Sequence, residues 1–312
     1  MDVHVPVMMD RIVDALSTSL QHQGAIYIDG TLGLGGHAKA MLTANPNARL
    51  IGIDRDADAI GVARERLAEF EGRTTFVQAV YDELPDVLGD LGVEAVDAML
   101  LDLGLSSLQI DRTERGFAYR VDAPLDMRMN QADGPTAADI LNTYDARDLS
   151  RILKWYGEEK FADRIARAIV ANRPFDTSGR LVDVISAAIP AAARHSGGHP
   201  AKRTFQALRI EVNRELEALE GVLPAAVDAL AVGGQLAVLS YHSLEDRLVK
   251  RTFAAGAEAQ VPRGIPVVPE HLQPQLELVT RGAERPTPAE IESNPRAASA
   301  RLRIAKRMRS RA

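Results

Sequence analysis

The chain of 312 residues is 46% hydrophobic and 26% charged, carries a formal net charge of −6 and contains no cysteine. That length gives room for one large domain or two ordinary ones, with a sizeable core, and the lack of cysteine excludes disulfides, thiolate metal sites and a cysteine nucleophile. Residues 1–16 include three aspartates and no long apolar run, so we expect no secretory signal there. No stretch reaches the roughly 18 apolar residues of a membrane span. We therefore expect a cytoplasmic protein that does not enter a membrane.

Charge is distributed unevenly along the chain. Residues 1–111 carry a net charge of −11, whereas residues 112–205 carry +3 and residues 206–312 carry +2. More basic later segments are compatible with a local phosphate-binding face, which matters more for nucleic-acid binding than the total charge. Solvated faces of different charge explain the same distribution, so charge alone does not assign a partner.

The first predicted strand, residues 25–28, runs into Asp29 and then into a loop rich in glycine. Glycine occupies positions 30, 33, 35 and 36, and a helix is predicted to begin near His37. Such a loop presents uncrowded backbone N–H groups at the carboxyl edge of a parallel sheet. The second predicted strand, residues 49–53, ends in Asp54, about 20 residues beyond the loop, where an acid holds ribose hydroxyls in dinucleotide folds. The pattern favours a nucleotide-like ligand over a merely tight connection.

Asp29 discriminates between two such ligands. Gly33, Gly35 and Ala38 satisfy the pattern G-x-G-x-x-G/A, which is typical of dehydrogenases that bind NAD. An acid inside the loop repels a pyrophosphate but attracts the ammonium and sulfonium groups of S-adenosylmethionine. The loop therefore favours a methyltransferase over a dehydrogenase.

The next predicted elements continue the alternation of strands and helices. They are a helix over 57–70, a strand over 74–78 closed by residues 80–82, a helix through 88 and a strand over 95–101. The last of these strands is nearly all apolar, as expected for a strand buried on both faces, and it ends in Asp102. This spacing predicts a doubly wound α/β domain whose strand ends carry polar groups at one edge.

The alternation stops at about residue 112. The following predicted elements are helices over 136–144, 145–156 (with Asp145 as N-cap), 158–172 and 178–193. The chain is predicted to return to the sheet with a helix over 202–230, a strand over 235–240, a helix over 244–254 and strands near 276–280 and 300–308. We therefore expect a helical domain of roughly 90 residues, 112–203, inserted into an α/β domain made of 1–111 and 204–312.

Seven segments of the chain resemble the motifs of one family. They are DGTLGLGGH (29–37), DLGLSS (102–107), ERGF (114–117), PLDMRM (124–129), YGEEK (156–160), TFQALRI (204–210) and YHSLEDR (241–247). Together they resemble the MraW-type family of 16S rRNA methyltransferases along nearly the whole chain. The resemblance implies a Rossmann-like class I S-adenosylmethionine-dependent methyltransferase sheet with an inserted all-helical domain that recognises the substrate. It also implies methyl transfer to the exocyclic N4 of cytidine 1402 in the 16S rRNA of the small ribosomal subunit.

The same resemblance implies a set of cofactor contacts. In this sequence they fall on Gly35, Gly36, His37, Asp54, Tyr81, Asp102 and Gln109, and the glycine loop itself adds Gly33 as a predicted contact. Simple chemistry supports several of them. Asp54 can accept both ribose hydroxyls, the glycine N–H groups can approach the methionine carboxylate, and Tyr81 offers a flat face to adenine. Gln109 rests on the resemblance alone.

The predicted catalytic residues are Asp102 and His242. Enzymes that methylate exocyclic amines typically carry Asp or Asn followed by Pro-Pro-aromatic at the end of this strand. Asp102 occupies that place without the prolines and the aromatic residue, so the analogy is partial. Its predicted role is to accept a hydrogen bond from the target amine and thereby orient it. His242 follows a predicted strand at the same edge, where loop residues often carry function.

Three residues near the start of the insert are predicted to contact RNA: Arg115, Phe117 and Arg128. Phe117 lies in a loop beside an arginine, which suits stacking on an unpaired base, whereas Trp155 and Phe161 are expected in the core. We expect no bound metal ion, because His195 and His199 flank two glycines and lack the glutamate of helix-borne zinc motifs.

Three other functions remain open at this stage. A small-molecule methyltransferase would share the first half of the chain but has no need of a 90-residue insert. A dehydrogenase would bind NAD at the same loop, and a non-catalytic RNA-binding module would transfer no methyl group. Methyl transfer to small-subunit particles would separate these alternatives from the expected activity.

Overall fold

The computed structural model describes residues 5–193, 199–259, 269 and 272–310, and the chain divides into two compact units. The larger unit combines Met1–Gly104 with Glu217–Ala312, and the smaller unit is Leu105–Leu216. Residues 105–111 and 204–216, which the sequence assigned to the α/β domain, therefore pack within the smaller unit. In the described ranges, no helix is long and apolar enough to cross a membrane.

One mixed sheet forms the centre of the larger unit. Its strands are β1 Ile26–Asp29, β2 Arg49–Asp54, β3 Thr74–Gln78, β4 Val96–Asp102, β5 Leu230–Ser240, β6 Leu276–Leu278 and β7 Arg301–Arg307. In the described residues the strand order is β3-β2-β1-β4-β5-β7-β6, with β1 to β5 parallel and β7 antiparallel to both of its neighbours. The α/β prediction is confirmed, and the order reverses between β1 and β4, where such sheets bind ligands.

The helices alternate with the strands in the larger unit and follow one another in the smaller one. In chain order they are α1 Met9–Ser17, α2 Gly36–Ala44, α3 Ala57–Arg66, α4 Leu84–Asp90, α5 Ser107–Asp111, α6 Ala137–Thr143, α7 Ala146–Trp155, α8 Ala162–Ala171, α9 Ser178–Ala188, α10 Lys202–Asn213, α11 Glu215–Ala229, α12 Ser243–Ala257 and α13 Pro288–Ser293. Helix α1 was not predicted from the sequence; its Ile12 and Leu16 lie one turn apart and are fully buried.

Strand β4 shows how the sheet is held between two apolar layers. Ala98 and Leu100 pack with residues of α1 and α2, whereas Met99 and Leu101 pack with residues of α4 and α11. All four side chains are fully buried. Successive residues of a strand point to opposite faces, so a nearly continuous apolar run is what a strand covered on both sides requires.

Helices α6 to α10 surround the core of the smaller unit. Asp145 caps α7 by accepting hydrogen bonds from two backbone N–H groups, as predicted. Helix α8 begins at Ala162 rather than at residue 158, because Glu158 has φ 47° and the Glu159 carboxylate accepts the Phe161 N–H. Helix α9 ends at Ala188 since proline follows the next residue and disfavours helical geometry there.

The long helix predicted over 202–230 is two helices. Arg214 separates them with φ 51°, a left-handed conformation that ends an α-helix. The Arg209 guanidinium donates two hydrogen bonds of 2.8 and 2.9 Å to the Glu215 carboxylate across the break. Arg214 and Glu215 are residue types that favour a helix interior, so the local sequence contains no strong signal for this interruption.

Candidate active site at the carboxyl edge of the sheet

Four neighbouring parallel strands deliver polar side chains to one edge of the larger unit. Asp29, Asp54 and Asp102 end β1, β2 and β4, and Tyr241 directly follows β5. The strands are adjacent in the order β2-β1-β4-β5, so their carboxyl ends meet at the point where the strand order reverses. The sequence prediction that the strand ends share one edge is confirmed.

The glycine loop after β1 has a shape that side chains would disturb. The Gly33 N–H donates a 2.7 Å hydrogen bond to Asp54 Oδ2, and Gly33 and Gly35 adopt φ values of 50° and 74°. A Cβ atom on Gly35 would lie 3.3 Å from that of Ala63, and one on Gly36 would lie 2.6 Å from Pro6 Cγ. The loop therefore keeps its backbone close to its neighbours and opens directly into α2.

Asp54 keeps acceptor capacity after it has stabilised the loop. Its Oδ2 accepts from Gly33 and its Oδ1 accepts the Asp56 N–H at 2.9 Å. Burial raises the pKa of the Asp54 carboxyl, and these two backbone hydrogen bonds oppose that rise. Each carboxylate oxygen can accept a second hydrogen bond, so the pair suits two vicinal hydroxyls such as those of a ribose.

Asp29 is a carboxyl group buried to 1% exposure at the centre of this edge. Burial raises its pKa to about 7, His37 opposes this rise, and the negative charge of Asp102 adds to it. Its near contacts are a 3.4 Å hydrogen bond from the Tyr27 hydroxyl and a 3.3 Å hydrogen bond from the Thr31 N–H. A cationic ligand would favour the charged form of this group, which fits the ammonium or sulfonium expected from the sequence.

Asp102 is partly accessible, with 24% side-chain exposure, whereas the neighbouring His37 is 6% exposed. The Tyr241 hydroxyl donates a 2.8 Å hydrogen bond to Asp102 Oδ1, and the Asp102 backbone N–H donates to Thr31 Oγ1 at 2.6 Å. His37 Nε2 lies 3.4 Å from Asp102 Oδ2. Within the described residues, both ring nitrogens of His37 are buried without a hydrogen-bond partner. A ligand that supplies a polar atom at this position would satisfy them.

His242 and Tyr81 lie at the same edge in different roles. His242 is the N-cap of α12, its Nδ1 faces the Glu245 N–H at 3.5 Å, and its Nε2 lies 3.0 Å from Glu245 Oε1. These contacts give His242 a capping role, and its catalytic role stays a prediction. Tyr81 begins a short 3₁₀ turn after β3 and is half-buried beside Gly30. Its stacking on adenine also stays a prediction.

Gln109 belongs to the smaller unit, in a capping box at the start of α5. Its Oε1 accepts the Ser106 N–H at 3.1 Å, and its own N–H faces Ser106 Oγ at 3.3 Å. Its side chain is 4% exposed. The predicted cofactor contact of Gln109 therefore remains a prediction from the resemblance.

Two of the three predicted RNA contacts have structural roles in the smaller unit. Arg115 is 1% exposed and its guanidinium donates to the carbonyl of Met129 at 2.7 Å. Phe117 is 9% exposed and packs in the core of this unit. This burial corrects the expectation that Arg115 and Phe117 are available to RNA. Arg128 is 22% exposed and forms a two-pronged ion pair with Asp126, so its contact with RNA stays a prediction.

The expectation for Trp155 is wrong in the opposite direction. Its side chain is 71% exposed at the end of α7, whereas Phe161 is partly buried against the core as predicted. The apolar stripe of α7 is complete without Trp155, because Leu149, Ile152 and Leu153 fill the buried face. His195 lies outside the described residues.

Tyr241 and Thr31 contact Asp102 and were not predicted. Each follows a strand end, but their side-chain partners are set by strands that are distant in sequence. A polar residue after β5, at the same edge as three aspartates, was the available signal for Tyr241. At this edge, Asp54 offers acceptors for a pair of hydroxyls and the buried Asp29 offers a carboxyl for a cationic centre. Asp102 adds a partly open carboxylate at the same edge.

Comparison with known proteins agrees with this chemistry. The sequence profile of the MraW methylase family matches residues 1–308. The chain is 60% identical over 307 residues to ribosomal RNA small subunit methyltransferase H of Nocardioides sp., covering 97% of this chain and 96% of that protein. It is also 60% identical over 309 residues to the protein of the same name from Streptomyces avermitilis, covering 98% and 97%.

Among solved structures, an rRNA methylase from Streptococcus thermophilus is similar with a TM-score of 0.45 and 11% identity, over 99% of this chain and 100% of that chain. The assignment rests on the sequence profile and on the relatives, which both extend over nearly the full length. The chain belongs to the MraW methylase family.

Proposed function

We propose that this protein transfers a methyl group from S-adenosylmethionine to the exocyclic N4 of cytidine 1402 in the 16S rRNA of the small ribosomal subunit. Membership of the family gives methylation with S-adenosylmethionine as donor, and the relatives are named as small-subunit rRNA methyltransferases. The observation that supports an amine as the methyl acceptor is Asp102, a partly open carboxylate beside the glycine loop, and position 1402 is what the resemblance of the motifs implies. We place the reaction in the cytoplasm, with the small subunit as partner.

The larger unit fits the cofactor by its donor and acceptor groups. Asp54 would accept the ribose hydroxyls, the loop N–H groups from Gly33 to Gly36 would face the methionine carboxylate, and Asp29 would face the positive charge. His37 would meet a polar atom of the cofactor or of the substrate. When bound, S-adenosylmethionine supplies an electrophilic methyl group on a sulfonium.

The role of Asp102 follows from the nature of the target atom. An exocyclic cytosine amine is a weak nucleophile, because its lone pair is delocalised into the ring. Transfer requires the amine to be held in line, about 3 Å from the methyl carbon. Asp102 would accept one amine N–H and so direct the nitrogen. The methylated nitrogen is cationic and strongly acidic, so it readily releases its proton to solvent. A strong base is not required for that step.

The smaller unit is proposed to present the RNA. Residues 112–205 carry a net charge of +3, opposite to the −11 of residues 1–111. Phosphate contacts from such a surface make RNA affinity fall steeply with salt concentration. Arg128 keeps its predicted place in this role, whereas Arg115 and Phe117 support the unit from within.

The decisive experiment is transfer of tritiated methyl groups from S-adenosylmethionine to small-subunit particles that lack the modification. Nucleoside analysis of the product should show N4-methylated cytidine, and a fragment spanning position 1402 should carry the label. Label on another nucleoside would refute the N4 assignment. Label on free small molecules but not on particles would favour a small-molecule methyltransferase, and binding without any transfer would favour an RNA-binding module.

A further inference from the structure

Tyr241 holds a position that the proposed chemistry leaves unexplained. Its hydroxyl donates a 2.8 Å hydrogen bond to Asp102 Oδ1, although the two residues are 139 positions apart in sequence. Burial, together with the charge of Asp102, raises the pKa of Tyr241 well above its ordinary value. The hydroxyl is therefore a protonated donor throughout the neutral range.

Two further contacts hold Tyr241 in place. The backbone N–H of Tyr241 donates a 2.7 Å hydrogen bond to Glu245 Oε2, in the first turn of α12. On the other side, the ring lies against Gly104, where a Cβ atom would be 3.1 Å from Tyr241 Cδ2. Gly104 has φ 110°, a conformation that glycine adopts without strain. The loop after Asp102 is thus shaped to admit the ring.

This arrangement makes the two oxygens of Asp102 unequal. Oδ1 is occupied by the tyrosine hydroxyl, while Oδ2 faces His37 Nε2 at 3.4 Å, beyond normal hydrogen-bond length. A carboxylate fixed through one oxygen loses rotational freedom about its last torsion. Its second oxygen then has a defined direction, which is what an acceptor needs in order to orient a weak nucleophile.

We propose that Tyr241 is a positioning residue that fixes the Asp102 carboxylate through Oδ1, so that Oδ2 is the acceptor for the target amine. This inference rests on the proposed function, since it concerns how Asp102 meets the substrate.

The first test compares two tyrosine variants that lose equivalent bonds. Tyr241→Phe removes the hydroxyl and keeps the ring. Tyr144→Phe is the matched control, because its hydroxyl also donates to a carboxylate, that of Glu211, at 2.8 Å. We expect Tyr241→Phe to lower the single-turnover rate of methyl transfer about 10- to 100-fold, the range for loss of a hydrogen bond to a charged group. Its affinity for S-adenosylmethionine should remain unchanged, and the control should keep the wild-type rate.

A combination of variants shows whether the tyrosine acts through the carboxylate. In an Asp102→Asn background the partner is neutral and the hydrogen bond is weaker, so Tyr241→Phe should cost less than about threefold. The same loss in both backgrounds would overturn the proposal, because Tyr241 would then act independently of Asp102. A Tyr241→Phe enzyme with the wild-type rate would overturn it as well.

A titration tests the pairing without any activity. Carbon-13 at the tyrosine Cζ position reports ionisation of each phenol, and the Tyr241 signal is the one missing from Tyr241→Phe. In Asp102→Asn its transition should move to lower pH, since the neighbouring negative charge is gone. An unmoved transition would refute the pairing. By contrast, a wild-type enzyme that transfers no methyl group to small subunits would refute the proposed function. The titration would still test the hydrogen bond between Tyr241 and Asp102.

Discussion

Replacing Asp54 by alanine should weaken binding of S-adenosylmethionine without unfolding the protein. The carboxylate uses one lone pair of each oxygen on Gly33 and Asp56, at 2.7 and 2.9 Å, and keeps one on each for a ribose hydroxyl. A hydrogen bond to a charged group contributes about 1.5–3 kcal/mol. The two ribose hydroxyls would bind the same carboxylate, so their contributions are not independent. We expect a loss of about 2–3 kcal/mol, which corresponds to roughly a 30- to 150-fold increase in Kd.

Isothermal titration calorimetry on the wild type and on Asp54→Ala measures this change directly. The matched control is Asp56→Ala, which removes the N-cap of α3 but no proposed cofactor contact. It should lower the free energy of unfolding by about 1 kcal/mol and leave Kd within about twofold. Equal affinity of Asp54→Ala and wild type would remove Asp54 from the site. An equal loss of affinity in both variants would mean that the change acts through local folding rather than through the ribose.

Other perturbations address the remaining parts of the site. Asp102→Asn should keep measurable single turnover and Asp102→Ala should lose several orders of magnitude; if both are equally inactive while binding cofactor, the carboxylate acts as a base. Because the pKa of Asp29 is raised to about 7, its contribution to the free energy of unfolding falls as pH rises from about 4 to 7, while affinity for the cationic cofactor rises over the same range. Asp29→Asn should flatten both dependences, as followed by denaturant unfolding and calorimetry, and unchanged slopes would contradict the assignment. Phe117→Ala should cost about 3–5 kcal/mol of stability and Trp155→Ala less than about 0.5 kcal/mol, since one side chain is 9% exposed and the other 71%; similar costs in chemical denaturation would contradict this difference in burial. Replacing residues 112–205 by a short linker keeps Gln109, so it should spare cofactor binding and abolish methylation of small subunits; a shortened protein that still methylates the same cytidine would refute the proposed role of the insert.

The α/β class and the positions of the charged strand ends could be predicted from local patterns in the sequence. The nearly continuous apolar run identifies β4, because a strand that is covered on both faces needs apolar residues at successive positions. Asp29, Asp54 and Asp102 directly follow predicted strands, so their common edge follows from parallel pairing alone. Caps such as Asp145 are equally local, because the side chain binds a backbone N–H two or three residues away.

Which side chains meet and which are buried could be seen only in the assembled fold. The contact between Tyr241 and Asp102 depends on the pairing of β4 with β5, which no local pattern encodes. Phe117 and Trp155 were assigned to the wrong environments because an aromatic residue in a loop or at a helix end has no periodicity to show which way it faces. The break at Arg214 likewise depends on packing on either side of it, because its own helix propensity is high. Burial and long-range contact depend on the chain as a whole, whereas helix, strand and cap depend on a few neighbouring residues.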